Sequence, residues 1–160
     1  MIVGMSYKKV AEMSTRMNRA EMGVATPTSF HNKKTYFEFL SHFETRNLEK
    51  IKAGVLNYFH ATAKINASHP INAAAQGVGY YSDIILPIAQ SLDGFTRQNY
   101  IVLAGEYQGT EWVTSTGYFY GHFNKPLFGI PPSNRMAFLR FGEFHKIENG
   151  EITETYVYLG

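Results

Sequence analysis

The sequence contains no cysteine, which excludes a disulfide framework and a metal site built on thiolates. It has no apolar run that approaches the ~18 residues of a membrane-spanning helix. The N-terminal residues also lack the order of a signal peptide, in which a basic segment precedes an apolar one. We therefore expect a cytoplasmic protein that does not bind to a membrane.

Charge of one sign is also scarce, because 15 Lys and Arg residues are balanced by 13 Asp and Glu residues, a formal net charge of +2. This balance, without a basic cluster interleaved with aromatic residues, does not favour nucleic-acid binding. The six histidines include no H-x-x-x-H pair, so we expect no metal site. Phosphate-binding loops and nucleophile elbows are missing too, and we expect no cofactor.

The 160 residues are 44% hydrophobic and 15% aromatic, a composition typical of one globular domain with a substantial core. Four apolar residues near the N-terminus recur at three- and four-residue spacing: Tyr7, Val10, Met13 and Met17. This spacing predicts a short amphipathic helix, and the Gly, Pro, Thr and Ser content of residues 23–32 predicts a linker. We therefore assign residues 1–33 to an N-terminal extension and residues 34–160 to a single domain.

Two helices are predicted in the first half of this domain. The apolar stripe of the first comprises Leu48, Ile51, Val55, Leu56 and Phe59. Asn47 is a suitable N-cap for this helix, and Ser41 with Glu44 offers an alternative capping box. The stripe of the second comprises Tyr81, Ile84, Ile85, Ile88 and Leu92. That helix is expected to end at Asp93-Gly94.

Strands follow the helices. After a short strand within residues 60–72, the period of two predicts four longer strands, at 98–106, 111–123, 135–147 and 151–159. The first pair turns at residues 107–110. The Asn149-Gly150 pair predicts a type I′ turn in the last hairpin, because both residues tolerate positive φ. Helices followed by a meander of strands predict an α+β domain, with the helices covering one face of a curved antiparallel sheet.

Alternation along the strand 135–147 divides its side chains between two faces. The set that begins purely apolar is expected to face the helices: Ala137, Leu139, Phe141, Glu143 and His145. Desolvation of Glu143 between Phe141 and Phe144 would raise its pKa toward that of a general base, and His145 titrates near neutrality. The alternative is that this end of the strand is solvated and both groups face water.

Further hydroxyl and imidazole groups are candidates for ligand binding. With one indole, those on strand 111–123 are Trp112, Tyr118, Tyr120 and His122, and Tyr156 lies on the last strand, 151–159. Such groups can donate hydrogen bonds to a ligand carbonyl, although a row of tyrosines also serves cross-strand packing. His69 and Asn72 lie in a loop that we expect to cap the open end of the sheet.

The segment from Thr116 to Tyr156 resembles the SnoaL-like polyketide cyclases of the nuclear transport factor 2 superfamily. The family pattern has Thr-Gly-Thr-His, then Gly-Ile-Pro-Pro-Thr-Gly, a strand, an Asp-Gly hairpin and Ile-x-Glu-x-Trp. The corresponding stretches here are Thr116-Gly117-Tyr118-Phe119, Gly129-Ile130-Pro131-Pro132-Ser133-Asn134, Asn149-Gly150 and Ile152-Thr153-Glu154-Thr155-Tyr156. The family histidine is thus replaced by Phe119 and the family tryptophan by Tyr156.

The resemblance implies a cone-shaped α+β domain with a hydrophobic cavity between helices and sheet, and a homodimer in which sheets pack together. It also implies aldol cyclisation of a polyketide without metal or cofactor, with Glu143 as the acid that takes the substrate proton. Because the family histidine falls on Phe119, His122, His145 or His69 would have to substitute for it. The expected catalytic partners of Glu143 are His145 and Tyr118. Exposed Phe138 and Phe144 are consistent with a dimer.

Two hypotheses result. In the first, the protein is an acid–base enzyme for a small hydrophobic, carbonyl-bearing ligand, with Glu143 as its base and Phe141 in the pocket wall. In the second, it is a non-catalytic ligand-binding or dimerisation module in which Glu143 is a structural carboxylate. The first has a slight advantage, because an acid placed within an apolar row is costly unless it is used or paired.

Overall fold

The computed structural model describes residues 26–160. Within them the helical elements are α1 (Pro27–Glu44), α2 (Leu48–Tyr58), a π-helical segment (Tyr80–Ile85) and α3 (Leu86–Ser91). The strands are β1 (Phe59–Ala67), β2 (Ala74–Gln76), β3 (Leu92–Tyr107), β4 (Thr110–Phe123), β5 (Met136–Glu148) and β6 (Glu151–Leu159). No helix in this part of the chain is long and apolar enough to cross a membrane.

The strands form one curved, unclosed sheet in the order β2-β1-β6-β5-β4-β3. Neighbours are antiparallel except for β1 and β6, which run parallel. The apolar residues of the helices pack on one face, which we call the inner face, and the opposite face is called the outer face. The predicted α+β class is therefore confirmed, and the sheet adds one parallel pair to the predicted meander.

The predicted linker is wrong from residue 27 onward, because α1 begins there. The Thr26 side chain accepts a hydrogen bond of 3.0 Å from the Ser29 backbone N–H, and Pro27 occupies the first turn, where a proline loses no helical hydrogen bond. The buried residues of α1 recur every three or four positions: Ser29, Asn32, Tyr36, Phe39 and Phe43. The helix predicted around residues 7–17 lies outside the described residues, and the division between residues 33 and 34 stays a prediction.

Helix α2 begins where the sequence predicts. Asn47 accepts a hydrogen bond of 3.1 Å from the Lys50 backbone N–H, so the predicted N-cap is confirmed. Ser41 instead donates to the carbonyl of Glu38 within α1. Leu56 does not belong to the buried stripe, because 60% of it is exposed.

The second predicted helix exists, but it ends earlier than expected. The π-helical segment continues into α3, and the chain enters β3 at Leu92 without a loop. Asp93-Gly94 therefore lies inside the strand, where the pairing with β4 shifts register between Asp93 and Thr96. A bulge of this kind accommodates residues that otherwise read as a helix stop. At the other end of the sheet, Asn149 (φ 52°) and Gly150 (φ 77°) confirm the predicted hairpin turn.

Candidate functional site

The inner face of β5 carries the two groups that the sequence singled out. Glu143 and His145 are both fully buried, and Phe141 beside them is 1% exposed. The predicted orientation is confirmed, and the alternative of a solvated strand end is wrong. Pairing of β4 with β5 places Ser115 opposite Glu143, so that its hydroxyl joins the same buried group.

Arg97 of β3 is the central cation of this site. Its side chain is 1% exposed, and its Nη2 forms an ion pair with Glu143 Oε1. The guanidinium also donates to two phenol oxygens, Tyr80 at 2.9 Å and Tyr36 at 3.0 Å. Its Nε donates to Asn99 Oδ1 at 3.0 Å. The guanidinium thus makes four hydrogen bonds away from water.

The two phenols bring the helical layer onto the same carboxylate. Tyr36 of α1 lies 3.4 Å from Glu143 Oε1 and shares a hydrogen bond of 2.6 Å with the Ser115 hydroxyl. Tyr80, the first residue of the π-helical segment, donates to Glu143 Oε2. Both carboxylate oxygens are therefore occupied by protein donors. We call Tyr36, Tyr80, Arg97, Ser115 and Glu143 the interior cluster.

Ionisation in the interior cluster follows from its charges. Burial opposes ionisation of Glu143, but the Arg97 guanidinium, with His145 and the Tyr80 hydroxyl, lowers its pKa to about 2. Burial raises the pKa of Tyr36 and Tyr80, so both stay neutral donors. Although burial opposes its charge, Glu143 raises the pKa of Arg97 above its ordinary value. The predicted rise in the pKa of Glu143 is wrong, because Arg97 outweighs desolvation.

Three aromatic rings enclose the Arg97 guanidinium. Its Cζ lies 4.5 Å from the ring centre of Phe141, 4.7 Å from that of Phe43 and 5.5 Å from that of Phe119. These are cation–π distances in a desolvated setting. At Phe119, where the resembling family has a histidine, this chain therefore places an aromatic ring near its own buried cation.

His145 borders the interior cluster and is held by its neighbours. Its Nδ1 lies 2.8 Å from the Thr155 Oγ1 in β6. Its Nε2 is 3.5 Å from Glu143 Oε1 and has no well-formed hydrogen bond among the described residues. The rings of Tyr36 and Phe59 lie 5.2 and 6.0 Å away, which fixes the imidazole plane. Of the predicted site residues, Glu143, His145 and Phe141 are thus brought together.

The other predicted residues lie elsewhere. Strand register places Tyr118 opposite Arg140 on the outer face, with the sheet between it and Glu143. Four more share that outer face: Trp112, Tyr120, His122 and Tyr156. His69 and Asn72 are exposed in the loop between β1 and β2. The pocket expected from these residues together with Glu143 is therefore not assembled by the described part of the chain.

Four members of the interior cluster were missed at the sequence level: Ser115, which alternation alone places on the inner face of its strand, and Tyr36, Tyr80 and Arg97. Tyr36 lies in a helix whose first turns resemble a linker, although its spacing to Phe39 and Phe43 is a helical signal. Tyr80 immediately precedes the predicted second helix. Arg97 lies one residue before the predicted start of β3, and nothing in its local sequence marks it as a buried cation.

Four cavities lined by residues 26–160 have volumes of about 360 to 530 Å³, and none of them is lined by Glu143, Arg97 or His145. Of the interior cluster, Ser115 alone lines one of these four. Residues 26–160 contain no group of three or more His, Asp and Glu side chains suited to a metal ion. The arrangement is that of a closed, hydrogen-bonded ion pair.

The outer face has a second aromatic group. Trp112 and Phe144 are 7% and 2% exposed, and three partly buried tyrosines pack on them: Tyr107, Tyr156 and Tyr158. Further along the same face, Phe138 is 64% exposed and stacks on Tyr120 with ring centres 5.4 Å apart. Met136 is 59% exposed. We call Met136, Phe138, Tyr100 and Ile101 the outer apolar patch, since each is at least 44% exposed.

Comparison with known proteins identifies the fold. No protein-family model and no curated protein matches the sequence. Among solved structures, a SnoaL-like protein from Jannaschia sp. CCS1, whose name assigns it provisionally to the polyketide cyclases, is 14% identical. It aligns with a TM-score of 0.67 over 84% of this chain and 89% of its own.

Two further structures agree with this match. An NTF2-like protein from Burkholderia thailandensis E264 has a TM-score of 0.60 at 9% identity, covering 81% of this chain and 90% of its own. TerC, crystallised with polyporic acid, has a TM-score of 0.54 at 14% identity, covering 79% and 88%. As the sequence resemblance predicts, this chain has the fold of the SnoaL-like and nuclear transport factor 2-like proteins.

Proposed function

We propose that this protein is a non-catalytic module that binds a small ligand and associates with a second copy of itself. In this function Glu143 does not act as a general base. One observation carries the proposal: both carboxylate oxygens of Glu143 are occupied by Arg97, Tyr80 and Tyr36 in a site without exposure to water. A base needs a free lone pair and a pKa near the working pH. With three protein donors on its oxygens and a pKa of about 2, Glu143 is poorly suited to act as a general base near neutral pH.

The outer face is the surface proposed for self-association. The outer apolar patch includes Phe138 and Met136, which are 64% and 59% exposed, and Tyr100 and Ile101, which are 47% and 44% exposed. A sheet face of this kind is costly to leave in water, and a second copy covers it with the same surface in a two-fold dimer. Trp112 and Phe144 add little to this surface, because they are only 7% and 2% exposed, and the expected exposure of Phe144 is therefore wrong.

A single charge in the patch tests the dimer. Phe138→Asp introduces a carboxylate that a sheet-to-sheet interface would have to desolvate, so the dimer should weaken by at least about tenfold. Sedimentation velocity over a concentration series measures this weakening. Phe37→Asp on α1 is the matched control, because Phe37 is also an exposed phenylalanine, at 49%, on the helical side. A wild-type chain that sediments as a monomer, or equal effects of both variants, would contradict the proposal.

A second candidate function is acid–base chemistry on a small carbonyl compound inside the cone. It is favoured by the concentration of polar groups in the interior cluster, since buried ionisable groups with shifted pKa values gather at functional sites. In this case Arg97, Tyr36 and Tyr80 would donate to the carbonyl oxygen of the ligand and stabilise the enolate. The co-crystallisation of TerC with polyporic acid supports such a use of the fold.

The two functions differ in the role of Glu143, which supplies their test. A structural carboxylate stabilises the fold, so neutralising it should destabilise the protein strongly. If instead a ligand takes the place of Glu143 beside Arg97, Tyr36 and Tyr80, the protein should fold without this carboxylate. The free energy of unfolding of a Glu143→Gln variant, treated below, separates these cases.

A further inference from the structure

A second site lies on the outer face, between the outer apolar patch and Trp112. It is a cavity of about 450 Å³, within the range of small-molecule sites. Its main lining residues are Leu103, Thr116, Arg140, Phe144 and Tyr158. None of the residues predicted to bind a ligand lines it, and the interior cluster contributes only Ser115.

The cavity owes its shape to a missing side chain. Gly142 in β5 lies opposite Tyr158 in β6, and a Cβ on Gly142 would overlap the Tyr158 phenol ring. The ring therefore lies flat over the strand instead of pointing away from it. Phe144 follows on the same face, with its ring centre 6.3 Å from that of Tyr158 and the two planes tilted by 32°. Because Phe144 is only 2% exposed, the Tyr158 ring forms the accessible apolar wall, which suits a flat molecule.

One cation is aimed at this wall. Arg140 is exposed, and no carboxylate of residues 26–160 lies within ion-pair distance of it. Burial raises the pKa of Tyr158, and the Arg140 charge opposes this rise. At Tyr100, the Thr116 hydroxyl and the Arg140 charge lower the pKa. A guanidinium without an acidic partner, beside an apolar cavity, favours an anionic ligand.

Thr116 forms part of the floor of the cavity. Its Oγ1 is buried, so it is not accessible to a ligand from the cavity. The hydroxyl instead lies near the Tyr100 hydroxyl and lowers the pKa of that phenol.

We propose that this outer-face cavity binds a small planar aromatic carboxylate, whose ring packs on Tyr158 and whose anion pairs with Arg140. The carboxylate suits the forked geometry of a guanidinium, which can donate two parallel hydrogen bonds to it. The inference rests on the proposed function in one respect: a second copy on the outer apolar patch would cover the open side of the cavity. The lining residues themselves belong to one chain.

The test uses 2-naphthoate as the probe and the full chain labelled with ¹⁵N. Saturable shifts are expected for the backbone amides of Thr116, Gly142 and Tyr158. Arg140→Gln should weaken the affinity about tenfold, because it removes a charge-assisted pair. Arg135→Gln is the matched control, since Arg135 is exposed but does not line the cavity. The neutral 2-naphthamide should bind wild type about as weakly as naphthoate binds the Arg140→Gln variant.

Every result of this experiment either supports or contradicts the proposed cavity. Unshifted cavity amides, shifts confined to another surface, or equal affinities of the Arg140→Gln and Arg135→Gln variants would overturn the inference. Thermal unfolding of both variants verifies that they are folded. Sedimentation of the same samples separates the two proposals. Binding that depends on Arg140 in a monomeric chain would uphold the cavity and refute the dimer, whereas a dimer without binding would do the reverse.

Discussion

At the scale of single residues, the pair of Arg97 and Glu143 dominates the interior. Two opposite charges without exposure to water are costly to bury, and their mutual attraction offsets this cost only when the remaining donors and acceptors are also satisfied. Tyr36 and Tyr80 donate hydrogen bonds to the carboxylate, and Asn99 accepts one from the guanidinium. Removal of one partner should therefore cost far more than removal of both.

Glu143→Gln is expected to lower the free energy of unfolding by about 3–5 kcal/mol, because it leaves the buried Arg97 without a counter-charge. Urea denaturation followed by circular dichroism measures the change. The double variant Arg97→Met with Glu143→Leu should recover much of the loss, because apolar side chains of similar volume can replace a buried ion pair. Glu148→Gln, at a half-exposed carboxylate paired with Lys146, is the control and should cost under about 1 kcal/mol.

A Glu143→Gln variant as stable as wild type would contradict the structural role of this carboxylate and favour the acid–base function. A double variant less stable than the single one would show that the ion pair itself, rather than the unpaired charge, carries the stability.

The location of Glu143 could be predicted from its own strand, whereas its chemistry could not. Alternation along β5 is a local property, and it correctly placed Phe141, Glu143 and His145 on one face. The pKa of Glu143 depends on Arg97, which lies 46 residues earlier in the sequence. Desolvation alone predicts the opposite direction of the shift.

At the scale of elements, the last hairpin offers the sharpest test. Gly150 has a φ of 77°, a left-handed conformation that costs other residues about 1–2 kcal/mol. Gly150→Ala should therefore lower the free energy of unfolding by about 1 kcal/mol, as measured by urea denaturation. Asn149→Gly is the control, because its φ of 52° suits glycine equally, and its effect should stay within about 0.5 kcal/mol. Equal losses in both variants would contradict the predicted turn.

Elements with local signals were predicted well, and those shaped by tertiary contacts were not. The strands β4, β5 and β6 and the Asn47 cap follow from alternation, turn chemistry and capping. Helix α1 was missed because Pro27 and the Thr and Ser residues around it are as common in linkers as in first turns. The early start of β3 was missed because Asp93-Gly94 ends helices more often than it lies in a bulge.

At the scale of the whole molecule, acid should unfold the protein partly through Glu143. Its pKa in the folded state is about 2, against an ordinary value of 4.5, so the folded state binds this proton more weakly than the unfolded state does. The resulting stability, of about 3 kcal/mol, is present above pH 4.5 and is lost as the pH falls toward 2. Urea denaturation between pH 6 and 2.5 measures it. The double variant at Arg97 and Glu143 should lack this component, and an identical pH dependence in both proteins would refute it.

Recognition of the fold needed only the closing third of the sequence. The Gly-Ile-Pro-Pro stretch and the Asn149-Gly150 hairpin resemble the family, and solved structures with a TM-score of up to 0.67 agree. The partners of Glu143 come from α1, the π-helical segment and β3, outside that third. The fold was therefore within reach of the sequence, while the state of its central carboxylate required the assembled molecule.

The convergence of Tyr36, Tyr80 and Arg97 on one carboxylate also limits how the cone can open. These residues belong to the first helix, the second helical region and the edge strand of the sheet. If any one of these residues moved outward, the buried Glu143 carboxylate would lose a hydrogen-bond donor. Entry of a molecule into the interior would thus require that Glu143 take up a proton or that another anion replace it beside Arg97. A ligand with a carboxylate of its own would supply such an anion.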